Sequence, residues 1–463
     1  MNRLLAALLL LAFVALNLRW LDQDRMVRDG DEEGHVGAAE LFLGELNQHR
    51  WDRAVEMAVV EDMGDYPALY PATVGAWWWG FGGGQPGRPG VRAVNLLFLL
   101  AAAGAVAGTA SRLGANRDAA LLGGAVVLWL PLNVGLARHF MPDGALVAAV
   151  AFALWVAARD KHPAGFGLGL ALALGLLTKQ TFPLFLAPLP LLLRRSGVNA
   201  LPLAVGAALA VPWYGMNLRE QWAYAEMSTA YAAPVPWTEH ALYYPRELAH
   251  GVLGPVWLAV LAIVLLIAMT QKTRPMAIIG GVWLLASLAV LTLIPKKYDR
   301  LLAPALPAAG LVVAAALTAR PKLGWIVLPG VAWTAWTSLE DSAWNHPTDE
   351  IAAFHPGCVQ RWLRPPDPRS WGFEVVANAV LVAPEGAVRV LDGPEIPCAI
   401  QTTFPWADHL GPYLRREGLD RPIVDGSGEG RPALTVDFSA GARGERYGRV
   451  EPLGQEFTIR AGR

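Results

Sequence analysis

The first 340 residues of this chain contain eleven apolar segments, most of them followed by a short polar turn. A helix needs about 20 mainly apolar residues to cross a bilayer. The composition agrees with such a protein, because 54% of the residues are hydrophobic and only 17% are charged. We therefore predict a mainly α, polytopic transmembrane protein with helices centred on residues 3–19, 92–111, 119–137, 143–158, 164–177, 181–193, 199–214, 252–270, 276–294, 301–318 and 322–338.

The turns between these segments differ in charge, and the difference predicts their orientation. Short cytoplasmic loops are enriched in Lys and Arg. With the N-terminus inside, every inner turn is basic: these turns carry Arg112 and Arg117, Arg159 and Lys161, Arg194 and Arg195, Lys272 and Arg274, and Arg320 and Lys322. This orientation predicts that three regions lie outside, namely the long first loop 20–91, the aromatic loop 215–251 and the chain after residue 339.

Two segments leave an alternative open. Residues 164–193 form either a hairpin around Thr178-Lys179-Gln180 or one long span, and a single span would place the basic turns that follow on the outer side. The hairpin is favoured for that reason. Residues 1–18 could be a signal peptide, but Asn17-Leu18-Arg19-Trp20 offers no small-residue cleavage site. We therefore predict an uncleaved first helix.

The sequence becomes polar and rich in Pro and Gly from about residue 340. Apolar alternation in Ala387–Leu391 and Leu434–Phe438 predicts strands, and Asp408–Glu417 is typical of a helix. We predict a transmembrane domain over 1–339, in the plasma (inner) membrane, and a small extracytoplasmic α/β domain over 340–463. The net charge of -1 argues against a nucleic-acid partner, which would need a clustered basic surface.

The first outer loop begins with a cluster of acidic residues beside the first helix. Asp31, Glu32 and Glu33 are followed by His35, which lies one helical turn after Asp31. Ionisable residues at the mouth of a membrane protein are more often functional than those in an ordinary loop. A solvated interfacial loop is the alternative explanation.

Several short motifs follow one another along the first 320 residues. They are Asp31-Glu32-Glu33-Gly34-His35, Pro67-Ala68-Leu69-Tyr70, Arg92, Arg138-His139-Phe140-Met141-Pro142-Asp143, Thr178-Lys179, and the stretch from Tyr298 to Pro304. Their order resembles the C-type glycosyltransferases that use polyprenyl-phosphate sugars, in particular the protein mannosyltransferase and lipid A aminoarabinose transferase group. The resemblance covers roughly residues 1–320. Ala68 replaces a usual proline, and Tyr298-Asp299-Arg300 replaces a usual Arg-Tyr pair.

This resemblance implies transfer of a sugar from a polyprenyl-phosphate donor to a lipid, glycan or protein acceptor at the outer face of the membrane. The lipid phosphate is itself the leaving group, so the protein need not protonate the departing oxygen. One carboxylate that takes the proton of an acceptor hydroxyl can suffice. We predict Asp31 as this base, with Glu32 as the second choice.

Several basic residues lie in the predicted outer loops, although Lys and Arg are usually enriched in cytoplasmic loops. Such exceptions indicate an anionic ligand. We predict that they bind the lipid phosphate, although interfacial anchoring is an alternative for Lys296, Lys297 and Arg300. The predicted substrate-binding residues are Tyr70, Arg92, Arg138, Asp143, Lys179, Lys296, Lys297 and Arg300.

Two further alternatives remain open at this point. A divalent ion could bind among Asp29, Asp31, His35, His139 and Asp143, whose oxygen and imidazole ligands suit such ions. The competing function is a transporter or flippase that does no covalent chemistry. Transporters usually place charged residues near the bilayer midplane and often contain inverted repeats. Here the ionisable residues gather at one face, which favours the transferase.

Overall fold

The computed structural model describes most of the helical part of the chain and a set of strands near its C-terminus. The described residues are 2–23, 30–59, 66–82, 93–138, 140–158, 165–230, 237–269, 273–294, 299–339, 388–391, 423–425, 434–437, 446–450 and 455–461. The predicted helix Asp408–Glu417 and both cysteines, Cys358 and Cys398, lie outside these residues.

The first helix is followed by three helices within the predicted first outer loop. Helix α3 is amphipathic, since it buries Ala54 and Met57 and exposes Arg53 and Glu56. Helices α2 and α4 approach closely because α4 has Gly75 at the crossing, where a Cβ atom would lie 2.8 Å from the backbone of α2. The bounds are α1 Asn2–Gln23, α2 Gly30–Asn47, α3 Trp51–Val59 and α4 Leu69–Phe81.

The core of the helical part is built around α16, which packs against α5, α6, α14 and α15. The span Arg300–Ala319, which includes α16, is 89% buried, whereas the peripheral span Ala200–Ala223 is 22% buried. Small residues permit this packing. A Cβ atom at Gly310 would lie 2.6 Å from the backbone oxygen of Gly123, so the backbones of α16 and α6 touch there. The bounds are α5 Val94–Arg112, α6 Arg117–Leu128, α7 Pro131–Leu136, α8 Asp143–Ala157, α14 Gly254–Met269, α15 Arg274–Leu293, α16 Pro307–Ala319 and α17 Leu328–Leu339.

Proline divides one of the predicted spans. We predicted a single helix over 119–137, but the chain forms α6 and α7 with a break before Pro131. The residue before a proline is driven out of the helical conformation. Leu130 is accordingly extended, with φ -71° and ψ 132°.

The segment 164–193 is interrupted at the predicted turn. Helix α9 ends at Thr178, and Lys179 is extended, with φ -161° and ψ 135°. The chain then forms a 3₁₀ turn at Phe182–Phe185. Phe182 lies against Gly175 of α9, where a larger residue would clash with its ring. The bounds are α9 Phe166–Thr178 and α10 Leu189–Ser196.

Much of the predicted outer loop 215–251 is helical, and its outer location stays a prediction. Helix α12 continues to Ala230 and α13 follows after a short gap. Within these residues Tyr244 is fully buried, whereas Trp222 and Trp237 are exposed. The aromatic side chains of this segment therefore do not share one environment. The bounds are α11 Ala200–Ala207, α12 Val211–Ala230 and α13 Trp237–Glu247, with a π-helical turn at Leu248–Val252.

The apolar helices identify an integral membrane protein. By length and hydropathy, the described part contains five helical stretches that can cross a bilayer, and α8, α9 and α14 are shorter apolar helices. The count of eleven membrane spans therefore stays a prediction. The five stretches are Asn2–Arg19, Val94–Arg112, Ala200–Ala223, Arg274–Leu293 and Arg300–Ala319.

The described residues after 387 form a mixed five-stranded sheet in the order β2-β1-β3-β5-β4. Strand β1 pairs in parallel with β2 and β3, and β5 pairs antiparallel with β3 and β4. Both strands predicted from sequence, β1 and β3, are present and adjacent. The bounds are β1 Val388–Leu391, β2 Ile423–Asp425, β3 Leu434–Asp437, β4 Arg446–Val450 and β5 Gln455–Ala461.

Candidate functional site

Two of the predicted substrate-binding residues form a buried ion pair. Nζ of Lys179 donates to Oδ1 of Asp143 over 2.8 Å, and the two side chains are only 6% and 1% exposed. Each residue sits at a favourable helix end. Asp143 begins α8, where the helix dipole stabilises negative charge, and Lys179 follows the last residue of α9, where it stabilises positive charge.

This ion pair leaves polar atoms unused within the described part of the chain. A lysine ammonium has three N–H donors, and among the described residues the ammonium of Lys179 makes one hydrogen bond, to Asp143. Oδ2 of Asp143 is buried and has no hydrogen-bond partner among the described residues. A buried polar atom without a partner is costly. The pair can therefore bind a ligand that both accepts and donates hydrogen bonds.

Aromatic rings form one wall of this site. The ring of Tyr66 lies 5.7 Å from Nζ of Lys179. His35 packs edge-on against Tyr66 at 5.0 Å and against Tyr70 at 5.8 Å. The hydroxyl of Tyr70 donates to Oδ1 of Asn95 over 3.1 Å, and the tyrosine is 1% exposed. Residues of the predicted first outer loop therefore lie beside the ion pair: Tyr66, in the segment before α4, lies next to Lys179, and His35 of α2 packs on Tyr66.

Two more predicted cations lie around the segment that leads into Asp143. Arg138 is 1% exposed and its Nε donates to Oδ1 of Asn17 in α1 over 2.9 Å. Arg300 reaches the same segment, since its Nη1 lies 3.6 Å from the sulfur of Met141. Residues 138–143 thus include one basic residue, Arg138, and contact two more, Lys179 and Arg300, from separate parts of the chain. Positive charge around this segment suits an anionic ligand.

The structure leaves several predicted residues undescribed. Asp31 and Glu32 lie in the first turn of α2, one turn before His35, but their side chains are outside the described part. Arg92, Lys296 and Lys297 lie wholly outside the described residues. Their roles stay predictions.

The predicted metal alternative is not supported by a ligand cluster in the described part. Within those residues, no three His, Cys, Asp or Glu side chains are grouped so that they could hold a metal ion. Asp29 and His139 are outside the described residues, as is the side chain of Asp31. The metal therefore stays an open alternative.

Sequence reasoning missed Asn17, Asn95 and the role of Tyr66. Asn17 is fully buried near the end of an otherwise apolar helix and accepts the hydrogen bond from Arg138. Asn95 holds the Tyr70 hydroxyl. An amide inside a membrane helix is the signal that could have identified both residues, because such polar groups need a partner in an apolar environment.

Known proteins resemble this chain in structure. No family model matches the sequence, and no curated protein is a significant match. Two solved structures do match: those of ArnT from Cupriavidus metallidurans in the apo state and bound to undecaprenyl phosphate. Each aligns with a TM-score of 0.60 and 15% identity, over 98% of this chain and 97% of the other. This chain has the ArnT fold.

The ArnT fold confirms the predicted resemblance at the level of architecture. ArnT is a lipid A aminoarabinose transferase with the GT-C fold. An identity of 15% shows the shared fold alone and does not transfer an activity, since one fold can host several functions. The activity has to be argued from this chain's own site.

Proposed function

We propose that this chain transfers a sugar from a polyprenyl-phosphate donor to a lipid, glycan or protein acceptor at the outer face of the membrane. The observation that carries this proposal is the buried pair Lys179–Asp143. Among the described residues, Oδ2 of Asp143 has no hydrogen-bond partner, and the ammonium of Lys179 uses one of its three donors. An ArnT crystal structure contains undecaprenyl phosphate. The shared fold makes the same class of lipid the first ligand to test here.

The roles follow from the charge that develops during the reaction. The bond between the anomeric carbon and the phosphate oxygen breaks, and its electron pair leaves with the phosphate. In this proposal Lys179 and Arg300 stabilise that negative charge; their contacts with Asp143 and with Met141 support the assignment. Oδ2 of Asp143 accepts a hydrogen bond from a hydroxyl group of the sugar. The acceptor oxygen bonds to the anomeric carbon, and its proton passes to Asp31.

The decisive experiment measures release of the lipid phosphate from a panel of radiolabelled polyprenyl-phosphate sugars. Purified protein in lipid nanodiscs is incubated with each donor and with candidate lipid, glycan and peptide acceptors. We expect one donor to release polyprenyl phosphate and to label one class of acceptor. If every donor stays intact with every acceptor, although at least one binds, the protein is a binder or transporter of these lipids.

Arg300 should contribute to donor binding. We expect Arg300→Gln to raise the donor KM about tenfold or more, because a charge-assisted hydrogen bond to phosphate is lost. Arg300→Lys should retain part of the binding. Arg246→Gln is the matched control, since Arg246 is exposed on α13. An unchanged donor KM in Arg300→Gln would make Arg300 an interfacial anchor only.

The predicted outer location of residues 340–463 can be tested with the cysteines. Cys358 and Cys398 are the only two in the chain, and disulfides persist mainly outside the cytosol. Intact cells are treated with a membrane-impermeant thiol reagent before and after reduction. We expect labelling without cell lysis, either directly or after reduction. Labelling that requires lysis would place this part of the chain in the cytoplasm and reverse the predicted topology.

A further inference from the structure

One buried face of the first helix leads to the candidate site. Trp129, directly after α6, holds this face in place: its Nε1 donates to the backbone oxygen of Leu9 over 2.9 Å, and its ring packs edge-on against Phe13. These contacts fix the rotation and depth of α1, so that Asn17, one turn after Phe13, meets Arg138. The residues of this face recur every three or four positions, as expected for one side of a helix, and none is more than 6% exposed: Asn2, Ala6, Leu9, Phe13 and Asn17.

The side-chain amide of Asn17 has a defined orientation. Its Nδ2 donates to the backbone oxygen of Phe13 over 2.9 Å. This bond turns Oδ1 toward Arg138, whose Nε donates to it over 2.9 Å. With the amide reversed, Nδ2 would face Nε and two donors would meet. The bond at Nε fixes the plane of the guanidinium group, and with it the positions of the terminal nitrogens, which can bind a phosphate side by side.

An amide and a carboxylate affect a neighbouring cation differently. Lys179 is paired with the carboxylate of Asp143, whose negative charge offsets that of the ammonium. The amide of Asn17 is neutral, so it holds the guanidinium group without offsetting its charge. Arg138 is only 1% exposed, and a buried cation in a membrane protein is costly and usually functional. An oriented arginine beside a neutral amide suits an anionic ligand.

We infer that Asn17 is a positioning residue for the phosphate of the donor lipid. The inference rests on the proposed function. Asn17 acts through Arg138: it orients the guanidinium group and leaves its positive charge to the phosphate. Leucine at this position would remove the acceptor that orients Arg138. Aspartate would keep an oxygen acceptor for Nε, but its charge would offset that of the arginine.

The test measures the affinity of the protein in lipid nanodiscs for farnesyl phosphate and for farnesol, which lacks the phosphate. We expect Asn17→Leu and Asn17→Asp each to weaken binding of farnesyl phosphate about tenfold, because a charge-assisted contact is lost. Binding of farnesol should not change. Asn217→Leu is the matched control, since Nδ2 of Asn217 likewise donates to the backbone oxygen four residues earlier in its helix, over 2.9 Å.

A double-variant cycle tests whether Asn17 acts through Arg138. Arg138→Gln should weaken binding of farnesyl phosphate at least as much as Asn17→Leu, and the combined variant should bind no more weakly than Arg138→Gln alone. Equal and additive losses in the two backgrounds would overturn the inference. So would equal losses for farnesyl phosphate and farnesol, which indicate a general change in structure.

Asn17→Asp keeps the inference falsifiable even if Asn17→Leu does not fold. A purely structural role predicts wild-type affinity for farnesyl phosphate in Asn17→Asp, because a carboxylate holds Arg138 at least as firmly as an amide. That result would overturn the inference.

Sugar transfer, measured in parallel, separates the inference from the function on which it rests. If the Asn17 variants lose farnesyl phosphate but the wild-type protein uses no donor, the proposed function fails, while Asn17 still positions Arg138 for a lipid phosphate. If the wild-type protein transfers sugar and the Asn17 variants keep its donor KM and its affinity for farnesyl phosphate, the inference alone fails.

Discussion

Replacement of Asp31 by asparagine is expected to lower sugar transfer by about 10²- to 10⁴-fold, the usual contribution of general acid–base catalysis. Asparagine keeps the size of the side chain but cannot take the acceptor's proton. Asp31 lies in the first turn of α2. His35, one turn later in the same helix, packs on Tyr66 beside Lys179.

The measurement is single-turnover transfer at saturating donor, so that a loss of chemistry is separated from a loss of binding. Glu33→Gln is the control, because it makes the same kind of change two residues further along α2. Donor binding, measured by competition, should remain in Asp31→Asn. If Glu32→Gln is inactive and Asp31→Asn is not, the base is Glu32. Full activity in both variants would refute a carboxylate base in this helix.

The positions of most apolar helices, and two residues that the structure brings together in the candidate site, could be selected from the sequence alone. Apolar runs locate helices because each must satisfy its own backbone in the bilayer. Lys179 was selected because it lies in a predicted outer turn, whereas Lys and Arg are usually enriched in cytoplasmic loops. Asp143 was identified from its motif. Each of these signals lies within a short stretch of the chain, so it can be detected without knowing which distant residues are in contact.

The pairing of Lys179 with Asp143 could not be predicted in the same way. The two residues are 36 positions apart, and they meet only because α8 packs against α9.

The hydropathy pattern also did not predict how far α12 continues. Arg219, Glu220 and Glu226 end the apolar run but are good helix formers. The helix therefore extends past the point where a hydropathy pattern ends, and the predicted loop was too long.

The ion pair provides the second prediction with a large effect. Lys179→Met leaves the charge of Asp143 buried without its partner, and Asp143→Asn leaves Lys179 in the same state. Breaking a buried pair in this way costs about 3–5 kcal/mol. We expect each single variant to unfold at a clearly lower temperature in detergent. The double variant Lys179→Met with Asp143→Asn removes both charges and should recover most of the lost stability.

Activity separates the structural and functional roles of this pair. If Lys179 and Asp143 bind the donor, the double variant should fold yet transfer sugar no better than either single variant, because it lacks both the cation and the carboxylate. The matched control is Arg53→Met, which breaks an ion pair with Glu56 between side chains that are 45% and 55% exposed. Such a surface pair contributes only about 0–1 kcal/mol, so stability and transfer should change little. Recovery of transfer in the double variant would show that the pair only holds α8 and α9 together, and the donor phosphate would then have to be bound elsewhere.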